Sequence, residues 1–170
     1  LHMDDTQIRK DLAAIGVRGY PRLGFRTKET LEAIREALGF AEPYKAILVG
    51  AGHLGGALAA YSAFSRYGMR LVGIFDSDPD RKGQRFGRLA VQPMNRLKSV
   101  IKSRQARLAI LAVPAAAAQD VADSVIGAGV DTLWSFAPTT LMVPSHVYVR
   151  NEHISVGLCE LAYALKTSDR

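Results

Sequence analysis

Cysteine occurs once in the 170 residues, at Cys159, so no disulfide can close within the chain and a reducing, cytoplasmic setting is expected. Histidine is scarce and scattered (His2, His53, His146, His153), and with one cysteine it gives no zinc-ligand spacing, so no metal is expected. Long hydrophobic runs are missing. The longest, Leu108 to Val113 and the Ala115 to Ala118 run beyond Pro114, fall far short of the ~20 residues of a membrane span. No signal peptide is expected either, because Asp4, Asp5, Arg9, Lys10 and Asp11 break any apolar stretch among the first residues. Acid is the scarcer charge, 16 Asp and Glu against 22 Lys and Arg, and the net charge of +6 permits a polyanionic partner. Six cations stand between Gln7 and Lys28 against Asp11 alone, and eleven between Arg66 and Arg107 against three aspartates. Charge by itself does not choose between these two patches.

What is present divides into two sections. Residues 1–40 read as the end of a small domain. Asp4 or Asp5 can cap a helix over residues 6–15 with Ile8, Leu12 and Ile15 on one face, stopped by Gly16. The Gly-rich residues 16–25 suit a β-hairpin, or wing. A helix over residues 27–38 follows, capped by Thr27 or Thr30, with Leu31, Ile34 and Leu38 on one face. One hairpin and two helices bury too little surface to fold alone, so the sequence is expected to begin inside a domain.

From residue 43 onward, strands and helices alternate. Strands are expected at residues 46–49, 70–75, 89–91, 108–113, 132–136 and 147–149, and helices at 54–67, 94–104, 119–128 and 155–166. That alternation implies an α/β fold, a Rossmann-type doubly wound parallel sheet.

The first of these strands runs into Gly50-Ala51-Gly52-His53-Leu54-Gly55, and a helix follows at once. A Gly-x-Gly-x-x-Gly string gains force from this context. Gly50 permits the tight turn, Gly52 lets a pyrophosphate approach the backbone, and Gly55 lets the helix pack closely on the strand. The free N–H groups and positive end of the helix starting near Leu54 would face the phosphates. Asp76, 21 residues after Gly55, ends the second strand, where it can accept hydrogen bonds from ribose hydroxyls and repel a 2′-phosphate. NAD(H) is therefore favoured over NADP(H), although Arg81 and Lys82 stand close enough in sequence to meet a phosphate. His53 sits in the loop either as a backbone contributor or as an imidazole beside the phosphates. Catalytic machinery is not visible: no Ser/His/Asp set is suggested by spacing, and no substrate domain is expected after the sheet.

These residues resemble the redox-sensing transcriptional repressors of the Rex family. Leu1 to Leu12 is similar to the end of that family's winged-helix DNA-binding domain, including its recognition helix, and Gly16 to Phe25 to its wing. The likeness continues through Val49 to Gly55, Tyr61, Phe75 to Pro79, Ala112-Val113-Pro114, Ala117 to Gln119, Phe136 to Pro138 and Val147 to Leu158. The resemblance implies three parts. Residues 1–40 would be a partial winged-helix domain whose first helices are absent, residues 43–153 a Rossmann NAD(H)-binding domain, and residues 154–170 a helix exchanged across a homodimer. It implies a repressor, not an enzyme, that binds double-stranded operator DNA and is released by NADH, with NAD⁺ competing. NADH would bind the DNA-incompetent arrangement more tightly and, by linkage, DNA would weaken NADH.

By the same resemblance Gln7, Arg9 and Lys10 face DNA from the recognition helix, and Arg18 and Arg22 from the wing. Tyr61 matches a tyrosine near the nicotinamide, and Val113 and Pro114 fall on the matched cofactor-side string; Tyr61 is otherwise a packing residue. Two departures stand out. His153 occupies the place of a family aspartate used in switching, with Glu152 as its possible substitute, and Ile154 stands where some members carry an aromatic residue. Two other readings stay open: a small NAD-dependent oxidoreductase, and a CoA- or nucleotide-binding module without DNA binding.

Overall fold

The computed structural model describes residues 4–168. In chain order its elements are α1 (Asp5–Ala14), α2 (Thr27–Ala37), β1 (Tyr44–Val49), α3 (His53–Ala59), β2 (Met69–Asp76), β3 (Arg85–Phe86), β4 (Leu89–Pro93), α4 (Leu97–Arg104), β5 (Leu108–Leu111), α5 (Ala115–Ile126), β6 (Thr132–Ser135), β7 (Tyr148–Asn151) and α6 (Ile154–Ser168). Short 3-10 turns lie at Ser62–Tyr67, Pro79–Arg81 and Met94–Arg96. Among the described residues the strands form one sheet in the order β3-β4-β2-β1-β5-β6-β7. Every pairing is parallel except β3 with β4. The expected doubly wound sheet is therefore present, with one antiparallel edge added. β3 is two residues long, too short to leave a periodic signal in the sequence.

Alternate residues of the central strands feed two cores, as the two-residue period of a strand requires. Ile47, Val49, Phe75, Ala109, Leu111 and Leu133 pack with Leu97 and Ile101 of α4 and Ala118, Ala122 and Val125 of α5. Ala46, Leu48, Ile74, Val91 and Ile110 point the other way, toward Leu58 of α3 and Phe64 of the turn after it. Ala46 to Val49 are at most 1% exposed, which is why β1 reads as an unbroken apolar run.

Several expectations need correcting. The helix expected over residues 54–67 stops at Ala59, and the chain continues as a 3-10 turn entered through Tyr61. Gly55 and Gly56 make a weak helix, and the turn buries Ala63 while bringing Phe64 against Trp134 at 5.9 Å between ring centroids. α5 starts at Ala115 rather than 119, because Pro114 sets the start and alanine is the best helix former. The wing is not a two-stranded hairpin but a turn closed by a single bridge, Tyr20 to Gly24, with Arg22 at φ 64°. α2 is entered through Arg26 with no side-chain cap, not through Thr27 or Thr30. Its expected apolar face is only partly covered: Ile34 is half-buried while Leu31 and Leu38 are exposed. The Asp4 cap of α1 does form, accepting from the Thr6 N–H at 3.0 Å. No described helix is long and apolar enough to cross a membrane.

The glycines of the loop after β1 earn their places by contact. Gly50 sits at φ 95°, and a Cβ there would overlap the Ala112 carbonyl; a Cβ on Gly55 would overlap the Gly50 carbonyl. Gly55→Ala should therefore push α3 off the loop and cost about 1–3 kcal/mol by overpacking. A urea titration checks this: an unchanged midpoint would mean that α3 can shift aside freely.

Candidate functional site

Beyond β1 the chain crosses to β2 and β4 on one side and returns to β5 on the other, so the sheet order reverses at β1. A crevice outside the strand ends at such a switch point is the usual ligand site of an open α/β sheet. One is present, with a volume of about 460 Å³. Its walls include Gly50, Gly52, His53 and Leu54 from the loop and first turn of α3, Asp76 and Ser77 after β2, and Val113 and Pro114 after β5. The structure thus gathers seven of the ten residues expected at the cofactor site.

The other three act differently. Ala51 is buried and contributes its backbone: its N–H donates to Asp76 Oδ2 at 2.6 Å. Gly55 is the packing contact already described. Tyr61 lies outside the crevice walls, 55% exposed, with its ring edge-on to Phe64 at 5.0 Å.

Asp76 ties the crevice together. Oδ2 receives the Ala51 N–H and Oδ1 the Asp78 N–H at 2.9 Å, and each oxygen keeps a second acceptor site for a hydroxyl. At Gly52 an added Cβ would meet nothing within 4 Å, so this backbone is open to a group as close as a pyrophosphate. The Gly52 carbonyl accepts the first hydrogen bond of α3, from Gly56 N–H at 2.8 Å, leaving the N–H groups of the first turn free of helix partners. A loop of open amides, a carboxylate with spare acceptors and an apolar floor fit a dinucleotide.

Sequence reasoning missed Met94, Ala117 and Val121 in the crevice wall. Met94, after β4, and Val121, on α5, could be signalled by position alone; Ala117, also on α5, stood in a string matched to the family that was not assigned to the cofactor. Phe86 of the unforeseen β3 was missed as well; a Cβ on Gly56 would come within 2.9 Å of its ring.

A second concave surface, of about 730 Å³, lies between α1 and the turn at residues 18–25. It brings Arg9, Arg18 and Arg22 together, whereas Gln7 and Lys10 lie on α1 outside it. All five are exposed. Arg9 pairs with Asp5 at 2.8 Å and Gln7 donates to Asp11 at 2.7 Å, contacts within a helix surface that a stronger acceptor can displace. Ahead of residue 4 the string matched to the recognition helix lies outside the described residues. No cluster of His, Cys, Asp and Glu suited to a metal occurs among the described residues.

Near the start of α6, Glu152 Oε1 accepts from Arg150 Nε at 2.9 Å and from the Trp134 indole N–H at 3.2 Å. The Arg150 guanidinium first, and the indole second, hold its carboxyl below the usual range for glutamate. Glu152 is therefore engaged within its own sheet, and His153, beside it, is exposed. The Ile154 side chain lies outside the description.

Comparison with known proteins adds three findings. Residues 41–139 match the family described as CoA binding domain. The redox-sensing transcriptional repressor Rex of Desulforamulus reducens is 39% identical over 165 residues, covering 97% of this chain and 79% of that protein. Among solved structures, RSP, a Rex-family repressor, superposes with a TM-score of 0.85 in its complex with β-NAD⁺ and operator DNA, at 33% identity over 96% of this chain and 76% of that one. Its complex with β-NADH gives 0.81, at 32% identity and the same coverage.

Trp134 is the sole tryptophan, so its fluorescence reports on Glu152. Because the glutamate's pKa is lowered on folding, the Arg150–Glu152–Trp134 contact stands above the ordinary glutamate range and is lost as pH falls through the lowered value. The emission should titrate below the reference value of 4.5, and Arg150→Ala should move the midpoint up. A midpoint unmoved by that substitution would show that the guanidinium does not hold the carboxylate.

Proposed function

The chain belongs to the Rex family of redox-sensing transcriptional repressors, and on that footing we propose that it binds NAD(H) in the crevice at the carboxyl ends of β1 and β5 and operator DNA through α1 and the turn after it. Residues 1–40 then serve as the DNA-binding part and residues 43–153 as the sensor. Residues 154–170 join two copies into a homodimer, an arrangement supported by the 52–71% exposure of Val156, Leu158, Leu161, Tyr163 and Leu165 on α6.

In the sensor the backbone N–H groups from Gly52 onward hold the pyrophosphate, while the Ala51 N–H stays on Asp76, which holds the adenosine ribose. Val113 and Pro114 wall the crevice beyond β5, and His53 and Leu54 give their backbone N–H groups to the phosphates. When bound, NAD(H) supplies a nicotinamide whose charge and shape report its oxidation state. In the DNA-binding part Arg9, Arg18 and Arg22 converge on one groove, and their charge there suits phosphates. Gln7 and Lys10 extend that face along α1. NADH favours the arrangement of the dimer that cannot place both α1 helices on DNA, while NAD⁺ competes without that preference. The protein acts by this shift of populations, not as an enzyme, and in the cytoplasm.

One observation carries the reading: the crevice closed by Asp76 and the arginine groove of α1 stand on a single chain. It also separates the reading from a bare CoA-binding module, which has no use for the groove.

Fluorescence anisotropy on duplexes enriched from a randomised library tests it. NADH should raise the apparent Kd about tenfold or more, within the 5–150-fold span common for coupled sites. Binding indifferent to the NADH/NAD⁺ ratio would refute it. Arg9→Ala should weaken DNA binding and leave NADH affinity without DNA unchanged; a loss of both would remove α1 from the DNA face. Asp76→Ala should weaken NADH more than NADPH, and equal losses would show that Asp76 does not read the ribose.

A further inference from the structure

The 3-10 turn at Pro79–Arg81 stands beside the crevice, and one side chain on it joins two of the crevice walls. The Arg81 guanidinium donates from Nη1 to the Ala51 carbonyl at 2.9 Å and from Nε to Asp78 Oδ2 at 3.1 Å. Its Nε lies 3.8 Å from Asp76 Oδ2. The backbone beneath it is fixed from both sides. The Arg81 N–H donates to the Asp78 carbonyl at 3.2 Å, the Gln84 N–H donates to the Arg81 carbonyl at 3.0 Å, and the Val91 N–H donates to the Gln84 carbonyl at 2.8 Å. The β3–β4 edge thus carries the turn, and a planar fork with two anchored donors keeps its charge in one place. Lys82, the next cation in the chain, is exposed and does not line the crevice.

A carboxylate at the tip of β2 repels a 2′-phosphate only as far as its charge stands alone. Here a permanent cation sits within ion-pair distance of Asp76 and in the wall of the same crevice. We propose that Arg81 is a second specificity-determining residue of the adenosine half-site. Asp76 selects a free 2′-hydroxyl, and Arg81 limits how strongly a 2′-phosphorylated dinucleotide is rejected. The same fork, by holding the Ala51 carbonyl, also keeps the Ala51 N–H on Asp76. This rests on the reading of the crevice as the NAD(H) site.

Calorimetric titration of the full chain with NADH and with NADPH tests it, on the parent protein and on Arg81→Ala, Arg81→Lys and Arg81→Gln. Arg81→Ala should lower NADPH affinity about tenfold more than NADH affinity, the scale of one partly exposed charge interaction. Arg81→Lys keeps the charge without the two-pronged fit, so it should restore the NADPH-to-NADH ratio while leaving both affinities reduced. Arg81→Gln, which keeps hydrogen-bonding capacity without charge, should behave like Arg81→Ala in the ratio and supplies the reading if the alanine variant does not fold. A parent protein that binds NADH, with variants that lose both nucleotides in equal proportion, would overturn the proposal alone and reduce Arg81 to a loop support. A parent protein that binds neither nucleotide would overturn the proposal together with the functional reading beneath it.

Discussion

One contact holds the crevice at the carboxyl ends of β1 and β5 in shape: the Ala51 N–H on the carboxylate of Asp76, 25 residues further along the chain. It joins the loop leaving β1 to the tip of β2, and both strands behind it are fixed by buried parallel pairing from Tyr44–Met69 to Val49–Phe75. The loop cannot drift from the sheet without breaking that bond, and it runs so close to its neighbours that a Cβ on Gly50 would overlap Ala112 and one on Gly55 would overlap Gly50. A part-buried carboxylate without partners would be costly, and the bonds from Ala51 and Asp78 give each oxygen of Asp76 a donor.

The parts legible in the sequence were those whose physics is local or periodic. Ala46 to Val49 and Leu108 to Leu111 announced themselves by unbroken apolarity, and the glycines and Asp76 by spacing around a strand and a helix. The parts that escaped depend on distant partners. The helix after the glycine loop broke at Ala59 because Phe64 finds Trp134, a residue 70 positions away, and no window around Tyr61 carries that information. β3 exists only because Leu89 and Ala90 lie opposite it. Arg81 was visible as a cation close to Asp76 in sequence, but its bond to the Ala51 carbonyl across 30 residues was not. Arg9, Arg18 and Arg22 could be named from the family's pattern, whereas their convergence on one groove is a tertiary fact.

The same contrast separates the two ends of the molecule energetically. The sheet is tightly packed: Phe75, Ile47, Leu48, Ile74, Ile101, Ile110, Leu111 and Leu133 are all under 2% exposed. α1 and α2 bury none of their residues fully, and α6 presents leucines on a helix with no covering layer. Apolar faces of that kind are stabilised by association, and in the proposed homodimer the arrangement of copies, not the sheet, would be the soft coordinate. A sensor needs this division, since a ligand can bias only what is already free to move.

Where along the dinucleotide the redox state is read follows from the chemistry of the ligand. NADH and NAD⁺ are identical at the adenosine ribose and the pyrophosphate and differ only at the nicotinamide ring. On the proposed reading the glycine loop, Asp76 and Arg81 would supply affinity common to both forms, and an interaction equal in two states shifts no population however strong it is. Discrimination must be made elsewhere in the molecule, by groups whose contacts differ for a planar cation and a neutral reduced ring. Rigid binding at one end and a movable partner at the other are thus complementary demands on one ligand. On that reading the tight loop would give NADH and NAD⁺ the same foothold, and their competition would be decided at the ring.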